Sequence, residues 1–268
     1  MKKVLKILCV IVGIPLLVLF LIAIGNHIIL YLYCKLQNID VSTLSRNQLM
    51  NIVRYYMYIG SAIGEFLSVI VLFIIYFPTK EGLIKRCKFK KYSSQKLRVV
   101  LFLLLGFAVL TIVYIHLTQG IFESYVKVEN NVNLGHQSFW GFLLSIFLIP
   151  VFEEIIFRGV MLGTFKKSMN LKVAVVLQAL IFAIMHGNII QSSYTFFLGI
   201  ILGVAFLYTG SIFGDIICHI TFNLFGLLII PIIEHFYYNN IVYILIGFVL
   251  IIFSFILYKH NRKGVTKL

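Results

Sequence analysis

Residues 139–162 read FWGFLLSIFLIPVFEEIIFRGVML, an apolar run broken only by Glu153, Glu154 and Arg158. A helix needs about 20 apolar residues to cross ~30 Å of hydrocarbon, and this run is long enough. The same character extends outward in both directions. Hydrophobic residues make up 61% of the 268-residue chain and charged residues 12%, with a mean hydropathy of +1.02. That leaves too little polar surface to coat a water-soluble globule, so the bilayer is the solvent for most of the chain. The expected fold is all-α, a polytopic integral membrane helix bundle.

Further apolar segments lie at about 4–24, 56–77, 98–117, 172–189, 194–209, 212–232 and 240–258, which with 139–162 makes about eight transmembrane helices. The first is too long for a signal peptide and lacks a small-residue cleavage site, so it reads as a retained helix. The segment 194–209 is short, and its Gly199 and Gly203 have the GxxxG spacing that permits close helix contact. Most of the 23 basic residues fall on alternate connections, at 2–6, 80–98, 166–172 and 259–267. Lys35, Arg46, Arg54 and Lys127 fall on the other side with Asp40, Glu123, Glu129 and Glu234. Positive residues collect on the cytoplasmic side, so both N and C termini are expected there. The net charge of +14 therefore serves topology, and no nucleic-acid partner is expected. The basic connection 79–98 has two readings, a topology determinant or a grip on anionic lipid head groups or a partner. Cys9, Cys34, Cys87 and Cys218 form no CxxC pair, so neither a zinc ribbon nor a redox motif is readable. The chain divides into N-terminal membrane helices and loops (1–138), a central core (139–232) and a last helix with a basic tail (233–268).

Charges inside a bilayer call for a partner, a wet cavity or a function. Glu154 and Arg158 are four apart on one helix face, acid before base, the favoured order for an ion pair. Glu153 is turned about 100° away. One carboxylate thus has a cation at hand and the other does not, which makes Glu153 the candidate general base. A purely structural use, in which the three residues tie helices together, is the alternative. Two later apolar segments carry Phe182-xxx-His186 and His219-xxx-Asn223, with Asp215 one turn before His219 on the same face. A Glu, two His and an Asn from separate helices can activate a water and hold an oxyanion, the two tasks of amide hydrolysis. Zinc is a rival, since Glu and His ligate it, but the HExxH spacing is absent and Asn is an uncommon ligand. Proton-coupled transport is a second rival, although it favours an internal repeat that is not visible. Glu65, beside Gly64, stands alone, with packing and a substrate passage both open.

Together these residues resemble a known family. Glu153-Glu154-xxx-Arg158 with its Phe157-Arg158-Gly159 ending, Phe182-xxx-His186 and His219-xxx-Asn223 are similar, in order, to the three motifs of the CAAX protease and bacteriocin-processing family, the Abi or CPBP group of intramembrane glutamic endopeptidases. The resemblance covers roughly residues 139–230. It implies that Glu153 activates the attacking water with help from His186. His219 and Asn223 would form the oxyanion hole, and Glu154 with Arg158 a supporting pair. It further implies cleavage near the cytoplasmic face without a cofactor. The span limits place Glu153 and His219 in the cytoplasmic half and His186 deeper.

The residue usage, rich in Ile, Lys, Asn, Phe and Tyr, is that of AT-rich bacterial coding. A multi-pass protein of the bacterial plasma membrane is therefore expected, acting on a peptide or membrane-protein substrate in bacteriocin or pheromone maturation, self-immunity or regulatory processing. Protein prenylation is not expected in that setting. The competing reading from another class is a non-catalytic immunity or regulatory protein that binds a partner in the membrane.

Overall fold

Helix α1 (Cys9–Leu36) continues through Gly25-Asn26-His27, where hydropathy alone marks a gap after residue 24. Its backbone ladder is indifferent to those side chains, and the chain there is held against α3 (Met57–Tyr76). A Cβ on Gly25 would lie 2.1 Å from the Gly60 carbonyl oxygen, and one on Gly64 would lie 2.4 Å from the Ile22 backbone. Gly60 and Gly64 are thus a working small-xxx-small contact. The computed structural model describes residues 5, 7–79, 81–121 and 123–265, with backbone alone for 123–128 and 263–265. Of the charges used above, Lys2, Lys3, Lys6, Lys80 and Lys267 lie outside the described residues, and Glu123, Lys127 and Lys263 are described by backbone only.

Among the described residues the protein is all-helical, and seven helices are long and apolar enough to cross a membrane. Besides α1 and α3 these are α5 (Ser94–Thr118), α7 (Phe139–Phe165), α9 (Ile189–Thr209), α10 (Ile212–Phe236) and α11, which runs through Asn240–Val265. The expected eighth, 172–189, is the shorter α8 (Leu171–Ile184), about 21 Å long at 1.5 Å per residue. The difference comes from Gly187, whose φ of +67° breaks the helix, and from Asn188, which caps α9 by accepting from Ile190 and Gln191. As a result α9, expected from 194, starts five residues earlier.

Three short helices complete the chain. Helix α2 (Arg46–Tyr55) opens with a Ser45/Gln48 capping box and packs on α6 (Glu123–Gln137), in a connection that reads from sequence as polar and featureless. Helix α4 (Leu83–Cys87) lies in the basic connection and folds back onto α7. Its Arg86 donates from Nη1 to Thr164 Oγ1 at 3.1 Å, and a Cβ on Gly159 would lie 2.4 Å from Cys87 Sγ. Part of the basic connection is therefore core structure, beyond either reading made from its charge.

The basic residues gather at one end of the bundle. Lys167 pairs with Glu81, Ser211 Oγ donates to the Lys90 carbonyl, Lys96 lies over Tyr208, and Asn261 reaches Gln95. The opposite end holds the His116–Glu234 contact and Tyr114 against Ser193. Helices α7 and α10 occupy the centre, with the α1–α3, α5–α11 and α8–α9 pairs arranged around them.

Candidate active site

Three π-helical stretches, Cys9–Gly13, Leu144–Leu148 and Phe225–Ile229, each end two residues before a proline: Pro15, Pro150 and Pro231. Proline has no N–H to close the ordinary turn, so the ladder shifts to a wider winding there. In α7 this has a chemical result. The Ile149 N–H goes to the Leu144 carbonyl, and the next donor that could serve Ser145 belongs to Pro150, which has none. The Ser145 carbonyl is left for another helix, and Asn223 Nδ2 donates to it at 3.0 Å.

A few residues on, Glu153 and Glu154 sit midway along α7, followed by a second π stretch, Ile155–Leu162. Four residues around them are fully or almost fully buried: Glu154, Arg158, Asp215 and His219. Arg158 donates from Nη1 to Glu154 Oε1 at 3.0 Å and from Nη2 to the Gly199 carbonyl at 3.4 Å. Its Nε lies 3.9 Å from Asp215 Oδ2, and its face covers the Phe182 ring at 4.9 Å. Gln178 Nε2 donates to the same Gly199 carbonyl at 2.8 Å. The Gly199 backbone can come this close because a Cβ there would sit 3.0 Å from Ala179 Cα. Removing a lone charge from water costs several kcal/mol, so this guanidinium is held by two carboxyl groups, a carbonyl and a ring.

Above that buried group lie the partly exposed Glu153, His186 and Asn223. His219 joins the two levels. Its Nδ1 stands 2.7 Å from Glu154 Oε1 and its Nε2 3.6 Å from Glu153 Oε2. His186 Nδ1 stands 2.8 Å from the Phe182 carbonyl, which leaves Nε2 free for another group, and its ring meets Phe182 edge-on at 4.8 Å. Phe182 also touches the His219 ring, centroid to centroid 6.0 Å. Phe182 thus links His186, placed deeper by the span limits, to His219 and Arg158, and through them to Glu154 and Glu153, whereas Asn223, one turn after His219, is held by the Ser145 carbonyl.

Sequence reasoning missed three contributors and one contact of a fourth. Asp215 was visible one turn before His219, but its approach to Arg158 crosses between helices. Gln178 and the Gly199 carbonyl carry no motif. Ser145 could have been found from Pro150. Glu65, read as isolated, is a near neighbour: α3 packs on α7, and Phe66 and Phe152, the residues next to Glu65 and Glu153, bring their rings within 5.9 Å. Glu65 is buried, and its Oε2 has no hydrogen-bond partner among the described residues. Among the described residues no three His, Cys, Asp or Glu side chains converge as a metal-ligand set.

Residues 135–225 match the family described as type II CAAX prenyl endopeptidase Rce1-like. This segment is an Rce1-like domain. It takes in α7, α8, α9 and α10 as far as Phe225, and with them every motif residue. The Rce1-like match supports an intramembrane endopeptidase in a multi-pass membrane protein. Helices α1 to α5 and α11 lie outside the Rce1-like segment. No curated protein and no solved structure matches the chain significantly.

Proposed function

We propose that the protein hydrolyses a peptide bond within the membrane by water activated on Glu153, without a metal. The observation that carries this reading is the partly exposed Glu153 carboxylate facing His219 inside the Rce1-like segment. Glu153 takes a proton from a water held with the help of His186 Nε2. The water oxygen bonds to the peptide carbonyl carbon, and the negative charge that develops on the carbonyl oxygen is met by Asn223 and His219. The Asn223 amide has two N–H donors, and the one engaged by Ser145 aims the other. The proton on Glu153 then passes to the leaving nitrogen as the C–N bond breaks. Glu154, Arg158 and Asp215 support His219 from below.

The substrate class is a peptide or membrane protein in the bacterial plasma membrane, processed in bacteriocin or pheromone maturation, self-immunity or regulation. Both termini of the enzyme face the cytoplasm, as the clustering of basic residues at one end favours. The deciding experiment compares peptides released by cells carrying the wild-type protein or Glu153→Gln at equal membrane levels, read by mass spectrometry. Fragments that vanish as their precursors accumulate support proteolysis and name the substrate. Identical profiles, with equal rescue of a deletion phenotype, would replace it with the partner-binding reading.

A further inference from the structure

At the basic end of the bundle two cations converge on one buried ring, and a third lies beside them over another. Lys88 Nζ lies 5.6 Å and Lys166 Nζ 5.9 Å from the centroid of Phe206, which is fully buried. The third cation is Arg86, itself buried, fixed by its Nε donating to the Glu81 carbonyl at 2.9 Å, by Thr164 and by the Tyr76 ring at 4.4 Å. None of these three is paired with a carboxylate among the described residues, because the one acid nearby, Glu81, pairs with Lys167. Burial, followed by the charges of Lys88 and Arg86, holds the Lys166 amine below its ordinary range. The like charges therefore lie close enough to oppose one another.

The arrangement is built into the backbone. Lys88 ends α4 in the left-handed region, at φ +52°, which non-glycine residues seldom adopt. Its carbonyl accepts from Ile212 N at 3.4 Å, and the Lys90 carbonyl accepts from Ser211 Oγ. The strand of chain carrying Lys88 is thus strapped to the α9–α10 turn, beside the end of α7 that carries Lys166. Two lysines over Phe206 with Arg86 beside them over Tyr76, none paired with a carboxylate among the described residues, make a receptor for a compact anion with several oxygens. They lie where α3, α7 and α9 end, the end of the bundle at which basic residues gather, and such residues beside membrane spans attract lipid phosphates.

We propose that Arg86, Lys88 and Lys166 form a binding site for a phosphate group over Phe206, separate from the peptidase site. Phosphate reaches such a site from an anionic phospholipid head group or from solution. The test uses the purified full chain in neutral detergent, with thermal stability and native mass spectrometry as readouts. Phosphatidylglycerol, phosphatidylcholine and inorganic phosphate are titrated separately at low salt. Lys88→Gln with Lys166→Gln is compared with a control of equal charge loss, Lys85→Gln with Lys91→Gln, two exposed lysines of the same connection.

The expected result is that an anionic ligand stabilises the wild type and the control alike and binds roughly thirtyfold more weakly to the Lys88/Lys166 variant. Stabilisation by phosphatidylglycerol alone assigns the site to a lipid head group. Equal stabilisation by inorganic phosphate assigns it to a soluble phosphate. Equal weakening in both double variants, or no binding of either anion to the wild type, overturns the proposal. If the double variant does not fold, Lys166→Gln alone, at a half-exposed helix end, gives the same comparison against Lys85→Gln.

Discussion

Nδ1 of His219 stands 2.7 Å from Oε1 of Glu154, so the imidazole is anchored by the acid that Arg158 also holds and is presented to the neighbouring acid, Glu153. In the proposed mechanism the adjacent glutamates therefore have separable roles. Glu153→Gln should fold normally and lose about 10²–10⁴-fold in peptide hydrolysis, the usual contribution of a general base. Glu154→Gln should lower both activity and thermal stability. Activity against a fluorogenic peptide and melting in detergent separate the two, and chelators should leave wild-type activity unchanged.

Arg158→Met should destabilise strongly. It leaves Glu154 and Asp215 buried around an empty space, and breaking a buried pair costs about 3–5 kcal/mol. Adding Asp215→Asn and Glu154→Gln to Arg158→Met should recover much of the loss, because the uncompensated acids are then gone. Melting temperatures of the single and triple variants check this.

Pro150→Ala restores a backbone donor for the Ser145 carbonyl, in competition with Asn223. Hydrolysis should fall by about 10²-fold, the scale of one oxyanion donor, with little loss of stability. Asn223→Ala should fall by a similar factor, and the double variant by hardly more than either, since both act through one contact. Steady-state kinetics of the three proteins measures that coupling.

Glu65→Met replaces a buried carboxyl that has an unsatisfied oxygen. If Glu65 served packing alone, stability would rise by about 1–3 kcal/mol with activity unchanged. Its closeness to Glu153 leads us to expect the rise in melting temperature together with a several-fold drop in hydrolysis.

His136, in α6 outside the membrane spans, stacks on Tyr58 at 4.6 Å and lies 3.2 Å from Ser145 Oγ. Burial pushes its pKa down to about 4, against an ordinary value near 6.5. The folded protein favours the neutral ring, so this contact contributes fully above pH 6.5 and is lost as pH falls toward 4. Melting temperature should decline over that window in the wild type and less steeply in His136→Phe.

Hydropathy located the apolar helices because each must supply its own apolar length, but the expected span 172–189 is the shorter α8, and the ends of others moved: α1 past Asn26, α9 back to Ile189. Helices α2 and α6 escaped notice because they pack on each other at the bundle's end, where no apolar run is needed. At the site, residues four apart on one helix, Glu154 with Arg158 and His219 with Asn223, were legible from spacing. Contacts between helices were not, so the approach of Asp215 to Arg158 and of Glu65 to Glu153 had no sequence signature. The Ser145 carbonyl is intermediate, since Pro150 announces the gap but not the residue that fills it.

That gap also orders the protein's biogenesis. Until α10 packs against it, α7 has one carbonyl unsatisfied in hydrocarbon, a state disfavoured by several kcal/mol. Arrival of Asn223 relieves it. A newly made chain is thereby drawn toward the arrangement in which α10 faces α7, and a chain truncated before α10 would carry an exposed defect for membrane quality control to recognise.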